Sequence, residues 1–174
     1  ETVAIGAPYN DDNGDRSGHV RIYSWDSETV ATATVTITDS DTATVSIANT
    51  NNANETNQAS GLFTVTQTAV SSTDTVIAYS VTGSATNDGN NKDHTTVSGT
   101  VTISAGQTTA TIDVGGIVDD LVVEADETVI VTLTNKTSGD ADITIDGNNN
   151  TAIVTITDND TATVSITAND AAAG

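Results

Sequence analysis

The residues with chemistry to offer are acids. "VDDLVVEADET" (118–128) carries Asp119, Asp120, Glu124, Asp126 and Glu127 in one short stretch with no Lys or Arg inside it. Two carboxylates about 4 Å apart repel by about 4 kcal/mol at an effective dielectric near 20. Either a cation offsets that repulsion or the stretch stays open to water. Further acids stand in other loops: Glu55 in "NNANETNQ", Asp88 and Asp93 in "GSATNDGNNKDHT", and Asp158 and Asp160 in "DND". Every candidate ligand atom is therefore an oxygen. His19 and His94 lie far apart in the sequence, which argues against zinc or copper and for a hard ion. Calcium accepts six to eight oxygens in flexible geometry, and loops of unequal length suit it better than the tighter octahedron of magnesium.

Other chemistries lack their residues. The two histidines have no Ser or Cys partner in a recognisable catalytic motif, and nothing resembles a phosphate loop or a hydrolase elbow. Paired carboxylates could serve a glycosidase, but the aromatic platforms of a sugar cleft are missing, since 42–160 holds only Phe63 and Tyr79. No enzyme is expected. The formal charge of −20, with 4 basic against 24 acidic residues, disfavours nucleic acid and anionic membrane surfaces. No apolar run is long enough to span a bilayer, and Glu1 does not begin a signal peptide, so the chain reads as a mature fragment or a segment of something longer. There is no cysteine, hence neither disulfide nor thiolate site.

The elements that must position these acids are strands. Thr and Val favour pleated strands, while Asn, Asp and Gly favour turns. Seven bursts of period-2 alternation stand out: "TATVSIA" (42–48), "GLFTVTQT" (61–68), "TVIAYSV" (75–81), "TVSGTVTIS" (96–104), "TATIDVG" (109–115), "TVIVTLTN" (128–135) and "TAIVTIT" (151–157). No helical periodicity appears. The expected fold is all-β, a two-sheet antiparallel sandwich of immunoglobulin-like type with extra terminal strands, and "ITIDG" near Ile143 is expected to add a short hairpin arm.

Parity then places the loops. If consecutive strands run antiparallel, the first, third and fifth connections share one pole with the end of the last strand. That pole collects Glu55, Asp88, Asp93, the five acids of 118–128, Asp158 and Asp160. The other pole receives Asp74, Asp140, Asp142 and Asp146. Convergence from four distant segments calls for a multivalent cation. The alternative is a solubilising, halophile-like acidic surface that binds nothing specific.

An internal repeat frames this unit. "ATVTITDSDTATVSIA" (33–48) recurs as "AIVTITDNDTATVSIT" (152–167), an offset of 119 residues from Asp39 to Asp158. Residues 27–41 read as a linker and the last strand of a preceding repeat, and 161–174 as the first strand of a following one. Asp39 and Asp41 belong to the preceding unit's pole and are expected to be solvated. The outward threonines Thr34, Thr36 and Thr38 could be taken for an ice-binding row, but ordinary strand surfaces produce the same pattern. Asn54, Asn135 and Asn149 start sequons that permit glycosylation without indicating it. Residues 1–26 differ in texture and hold Tyr9, Tyr23 and the only Trp, Trp25. Through "VAIGAP" and "SGHVRIYSW" they resemble part of an FG-GAP repeat of integrin-type propellers, with the two runs paired around "DDNGDRSG". The family's D-x-D-x-D-G loop is missing, so Asp11, Asp12 and Asp15 are read as a polar turn.

"GSAT…KDHTTVSGTVTISAGQTTATIDV", "VDDLVVEADETVIVTL" and "AIVTITDND" occur in the order found in Calx-beta domains, which 42–160 resembles. The resemblance implies a calcium-binding sandwich with ligands at Glu55, Asp93, Asp119, Asp120, Glu124, Glu127, Asp158 and Asp160 and the backbone carbonyl of Val122, with Asp126 peripheral. His94 stands where the family usually has an aromatic, and Asn159 replaces the middle acid of a triple-aspartate ending. The functional expectation is a calcium-binding structural repeat of an extracellular bacterial surface protein, an adhesin stalk or filament, with calcium ions and neighbouring repeats or identical subunits as partners. The alternative is a self-assembling extracellular filament joined by terminal strand exchange, with or without calcium. A recognition module is a third reading, supported only by Tyr9, Tyr23 and Trp25.

Overall fold

β-Branched residues alternating with polar ones form strands here because one face of each can be buried while the other meets water. The computed structural model describes residues 2–7, 19–24, 35, 39–89, 92–97 and 99–168, the first two segments as backbone only. The chain divides into two units, 1–39 and 40–174. In the first, β1 (Thr2–Ala7) and β2 (His19–Ser24) pair antiparallel, with Thr2 opposite Ser24 and Ala7 opposite His19. The expected turn at 8–18 and the strand at 33–38, apart from an exposed Val35, lie outside the described residues.

The second unit holds β3 (Ala43–Asn51), β4 (Ala53–Asn54), β5 (Gly61–Gln67), β6 (Thr75–Gly83), β7 (Gly99–Ile103), β8 (Thr109–Val114), β9 (Glu127–Ser138), β10 (Ile143–Ile145) and β11 (Thr151–Thr157). One sheet has the order β10-β3-β5-β8, the other β4-β11-β9-β6-β7. All seven expected strands are present in this two-sheet sandwich. Among the described residues the only helical element is a short 3-10 turn at Thr56–Gln58, and no helix is long and apolar enough to cross a membrane.

Period 2 governs the packing. From one sheet Phe63 and Val65 of β5 point inward; from the facing sheet come Ala152, Val154 and Ile156 of β11, Ile77 of β6, and Val129, Val131 and Leu133 of β9. Gly83 lies at φ +135, and a Cβ there would collide with the carbonyl oxygen of Thr128, so the close approach of β6 to β9 requires glycine.

Two expectations are corrected. The "ITIDG" arm is no hairpin: β10 pairs parallel with β3, Ile143 beside Ala43, because the β9–β11 connection folds back over the edge of the sheet. The strand expected from Thr96 starts at Gly99, and 95–97 runs as loop, although Val97 is buried. Residues 161–168, expected to open a following repeat, pair with no strand among the described residues, and Val164 and Ile166 are 100% and 97% exposed. A strand needs a neighbour to satisfy its backbone groups, and among the described residues this segment has none.

Candidate metal centre

The acidic pole is built from loops anchored to strand ends. β11 runs parallel to β4, with Thr157 beside Asn54, so the chain leaving β11 arrives next to Glu55. The Glu55 N–H donates to the Thr157 carbonyl at 3.1 Å, fixing that junction. "DND" then folds on itself. Asp158 Oδ1 accepts from the Asp160 N–H at 2.8 Å, and Asp158 Oδ2 accepts from the Glu124 N–H at 2.7 Å. Asp158 thus ties the 115–126 loop to the end of β11. Asp120 closes its own turn by accepting from the Val122 N–H at 2.7 Å.

Asp93 is held from three sides. Its N–H donates to the Thr86 carbonyl at 3.0 Å, its carbonyl accepts from the Val118 N–H at 3.0 Å, and its carboxylate accepts from the Thr86 N–H. Beside it His94 is buried, and its ring Nδ1 lies 2.6 Å from the Thr95 carbonyl. A carbonyl can only accept, so Nδ1 carries the proton and His94 packs as a satisfied aromatic.

The carboxylates gather in two groups. Glu55, Asp158 and Asp160 each bring one oxygen within 4.8 Å of the others, and so do Asp93, Glu124 and Glu127. A cation bound at about 2.3–2.6 Å separates opposed oxygens by about that span, so either group fits calcium in size and donor type. Glu55 Oε2 and Asp160 Oδ2 are buried without a hydrogen-bond partner, although buried carboxylate oxygens are normally satisfied. The donor set therefore fits a hard divalent ion.

Electrostatics records the crowding. Burial, then the charges of Asp158 and Asp120 against an opposing hydrogen bond from the Asn159 backbone, push the Glu55 carboxyl up to about 7. Burial, a hydrogen bond with Asp93 and the charges of Asp93, Glu124 and Glu55 push Glu127 up to about 7 as well. Glu124 and Asp160 are also raised, by burial first and neighbouring carboxylates second. Asp158 goes the other way, held low by the N–H groups of Asp160 and Glu124. One anion pinned by backbone amides thus sits among acids that resist ionisation.

Eight side chains were singled out from the sequence, and six of them form the two groups. Asp119 and Asp120 border the first group: Asp119 Oδ1 accepts from Asn159 Nδ2 at 3.3 Å, and the charges of both residues act on Asp160. Val122 is half-exposed on the same loop. Asp126 and Asp88 are exposed and belong to neither group. Sequence reasoning missed the backbone donors of Thr86, Glu124 and Asp160. The D-x-D spacing of 158–160, typical of an aspartate capping its own turn, was the available signal for the last of these. It also missed that Asn159, standing in for an acid, donates to one.

Comparison with known proteins agrees with this architecture. The Calx-beta domain family matches residues 38–160. Among solved structures, the apo-form Calx CBD1 domain superposes with a TM-score of 0.53 at 18% identity, covering 69% of this chain and 100% of that one. CBD12 from CALX1.2 gives 0.52 at 21%, and the calcium binding domain CBD12 of CALX1.1 gives 0.51 at 20%; each alignment covers 66% of this chain and 44% of the other. This chain thus spans less than half the length of those two, and at such identities the likeness is one of fold. No curated protein matches the chain.

Proposed function

The chain belongs to the Calx-beta domain family over residues 38–160, and from that premise we propose that it is a calcium-binding structural repeat of an extracellular bacterial surface protein, an adhesin stalk or filament. One ion is assigned to Glu55, Asp158 and Asp160 with Asp119 and Asp120 beside them, and another to Asp93, Glu124 and Glu127, with the Val122 carbonyl as a further oxygen. The observation that carries this reading is the pair of unpartnered buried oxygens, Glu55 Oε2 and Asp160 Oδ2, inside a group of three carboxylates. With it go the domain limits: a partial FG-GAP-like hairpin at 1–26, in keeping with the β1–β2 pairing, a linker and terminal strand at 27–41, the sandwich at 42–160, and the start of a following repeat at 161–174.

The residues themselves supply the mechanism. Asp158 and Asp160 lie on the segment that leaves β11, Glu55 on the loop after β4, and Glu124 on the loop before β9. The two ions, one on Glu55, Asp158 and Asp160 and the other on Asp93, Glu124 and Glu127, offset the repulsion among these acids and fix the exit of the chain relative to the sandwich. Without them, repulsion loosens that exit. Binding to the folded state alone adds about 2.7 kcal/mol at 100-fold excess over the dissociation constant. Calorimetric titration together with small-angle scattering, in calcium and in chelator, tests the proposal; no heat of binding and an unchanged scattering profile would sink it.

A second reading, assembly by terminal strand exchange with or without calcium, draws support from a different observation: the exposure of Val164 and Ile166 in a segment whose alternation is that of a buried strand.

A further inference from the structure

Asp158 and Asp160 flank an uncharged residue, Asn159, and the earlier copy of the repeat has Ser40 between Asp39 and Asp41. Both copies therefore withhold a carboxylate at the middle of this segment, in a chain that sets 24 acids against 4 basic residues. The neutral residue has partners. Asn159 Nδ2 donates to Asp119 Oδ1 at 3.3 Å, and the Asn159 backbone N–H bonds the Glu55 carboxyl. One residue thus reaches acids on two other segments, the 115–126 loop and the loop after β4.

We propose that Asn159 sets the number of ions at this pole, its amide holding Asp119 outside the group of Glu55, Asp158 and Asp160 and denying a further cation the place between 119 and 159. The assignment rests on the calcium reading of the pole and names what limits its occupancy.

Asp119 is near the group without joining it. Its charge and that of Asp120 act on Asp160, yet neither is among the three residues whose oxygens lie within 4.8 Å of one another. Asp120 is engaged by the Val122 N–H, and Asp119 by the amide of Asn159. An amide NH2 only donates and offers a metal no lone pair. Asp119 therefore meets a hydrogen where a shared ion would need a second oxygen.

The spacing suits the missing ligand. A carboxylate differs from a carboxamide by one oxygen in place of one NH2, so Asn159→Asp sets an oxygen 3.3 Å from Asp119 Oδ1 if the side chain keeps its place. Two oxygens bound to one calcium ion at about 2.4 Å and at right angles stand roughly 3.4 Å apart. Asp120 and Asp160, close enough to feel each other's charge, offer further oxygens. Without an ion the same substitution puts like charges where the amide had made a bond. With Asn159 in place, the 115–126 loop stays tied to the chain leaving β11 even when no metal is bound.

Calcium stoichiometry tests the assignment, measured by calorimetry and counted independently by native mass spectrometry. Asn159→Asp should take up one ion more than wild type, and Asn159→Asp/Asp119→Asn should return to the wild-type count. Asp119→Asn alone should leave that count unchanged. In chelator Asn159→Asp should melt below wild type, and calcium should raise its melting temperature by more than it raises that of wild type. The cooperative transition also shows that the variant folds. Equal counts in wild type and Asn159→Asp overturn the role of Asn159 and leave the calcium reading standing. An extra ion that persists in the double variant, or a lower count in Asp119→Asn, overturns the pairing with Asp119. Wild type that takes up no calcium overturns the calcium reading and this assignment with it.

Discussion

Replacing Glu55 by Gln should have opposite effects on stability with and without calcium. Glu55 is buried at 6% exposure, and one of its oxygens has no partner. Its carboxyl is raised from 4.5 to about 7, chiefly by burial. A raised carboxyl favours the protonated folded state, so its stabilising effect is complete below the unfolded value of about 4.5 and is lost as pH climbs through about 7. A shift of that size corresponds to at most about 3 kcal/mol at one site. Screening by water at the edge of the sandwich leaves about 1–2 kcal/mol of it. At pH 8 in chelator, Glu55→Gln removes the charge and should stabilise the fold by that amount, or about 3–8 °C in melting temperature for a unit of this size. In millimolar calcium the same substitution deletes a ligand, and the gain on adding metal should fall by 1 kcal/mol or more. Thermal denaturation of both proteins in both buffers decides the matter. A variant less stable than wild type in chelator, or one that retains the full calcium response, would refute the reasoning.

Glu127 is also raised to about 7, so wild type in chelator should lose stability between pH 5 and pH 8, whereas calcium-saturated protein should vary little; urea midpoints at the two pH values check this. Asp158→Asn keeps the size of the side chain but lowers the charge that two backbone N–H groups hold in place, and should weaken calcium uptake at least tenfold by calorimetry. Phe63→Ala empties the centre of the sandwich and should cost about 3–5 kcal/mol by denaturant titration, with calcium or without. Gly83→Ala forces a Cβ against Thr128 at a positive φ and should cost about 2 kcal/mol or more, read as an earlier melting transition.

The strands could be read from the sequence because their alternation is a local signal. "TAIVTIT" shows which face of β11 is buried whatever it packs against. The common pole could also be read, since antiparallel neighbours send alternate loops the same way. The parallel pairing of β10 with β3 could not, because it depends on where a connection folds back and not on the three residues of β10. Nor could the division of the acids into two groups. That division is set by backbone donors, Thr86 for Asp93 and both Glu124 and Asp160 for Asp158, whose positions follow from loop paths rather than residue types. His94 shows the same limit: its place in the order was legible, but its burial and its bond to the Thr95 carbonyl were not.

β3 begins beside Ile143 and β11 ends beside Asn54, so the sandwich is entered at one extremity and left at the other. A pull on the two ends of the chain is therefore directed along the strands and across the rungs that join them. Under such tension the bonds between β3 and β5, and between β9 and β11, are loaded in shear and must give way together instead of unzipping singly. A domain strung in this way resists extension through its connectivity alone.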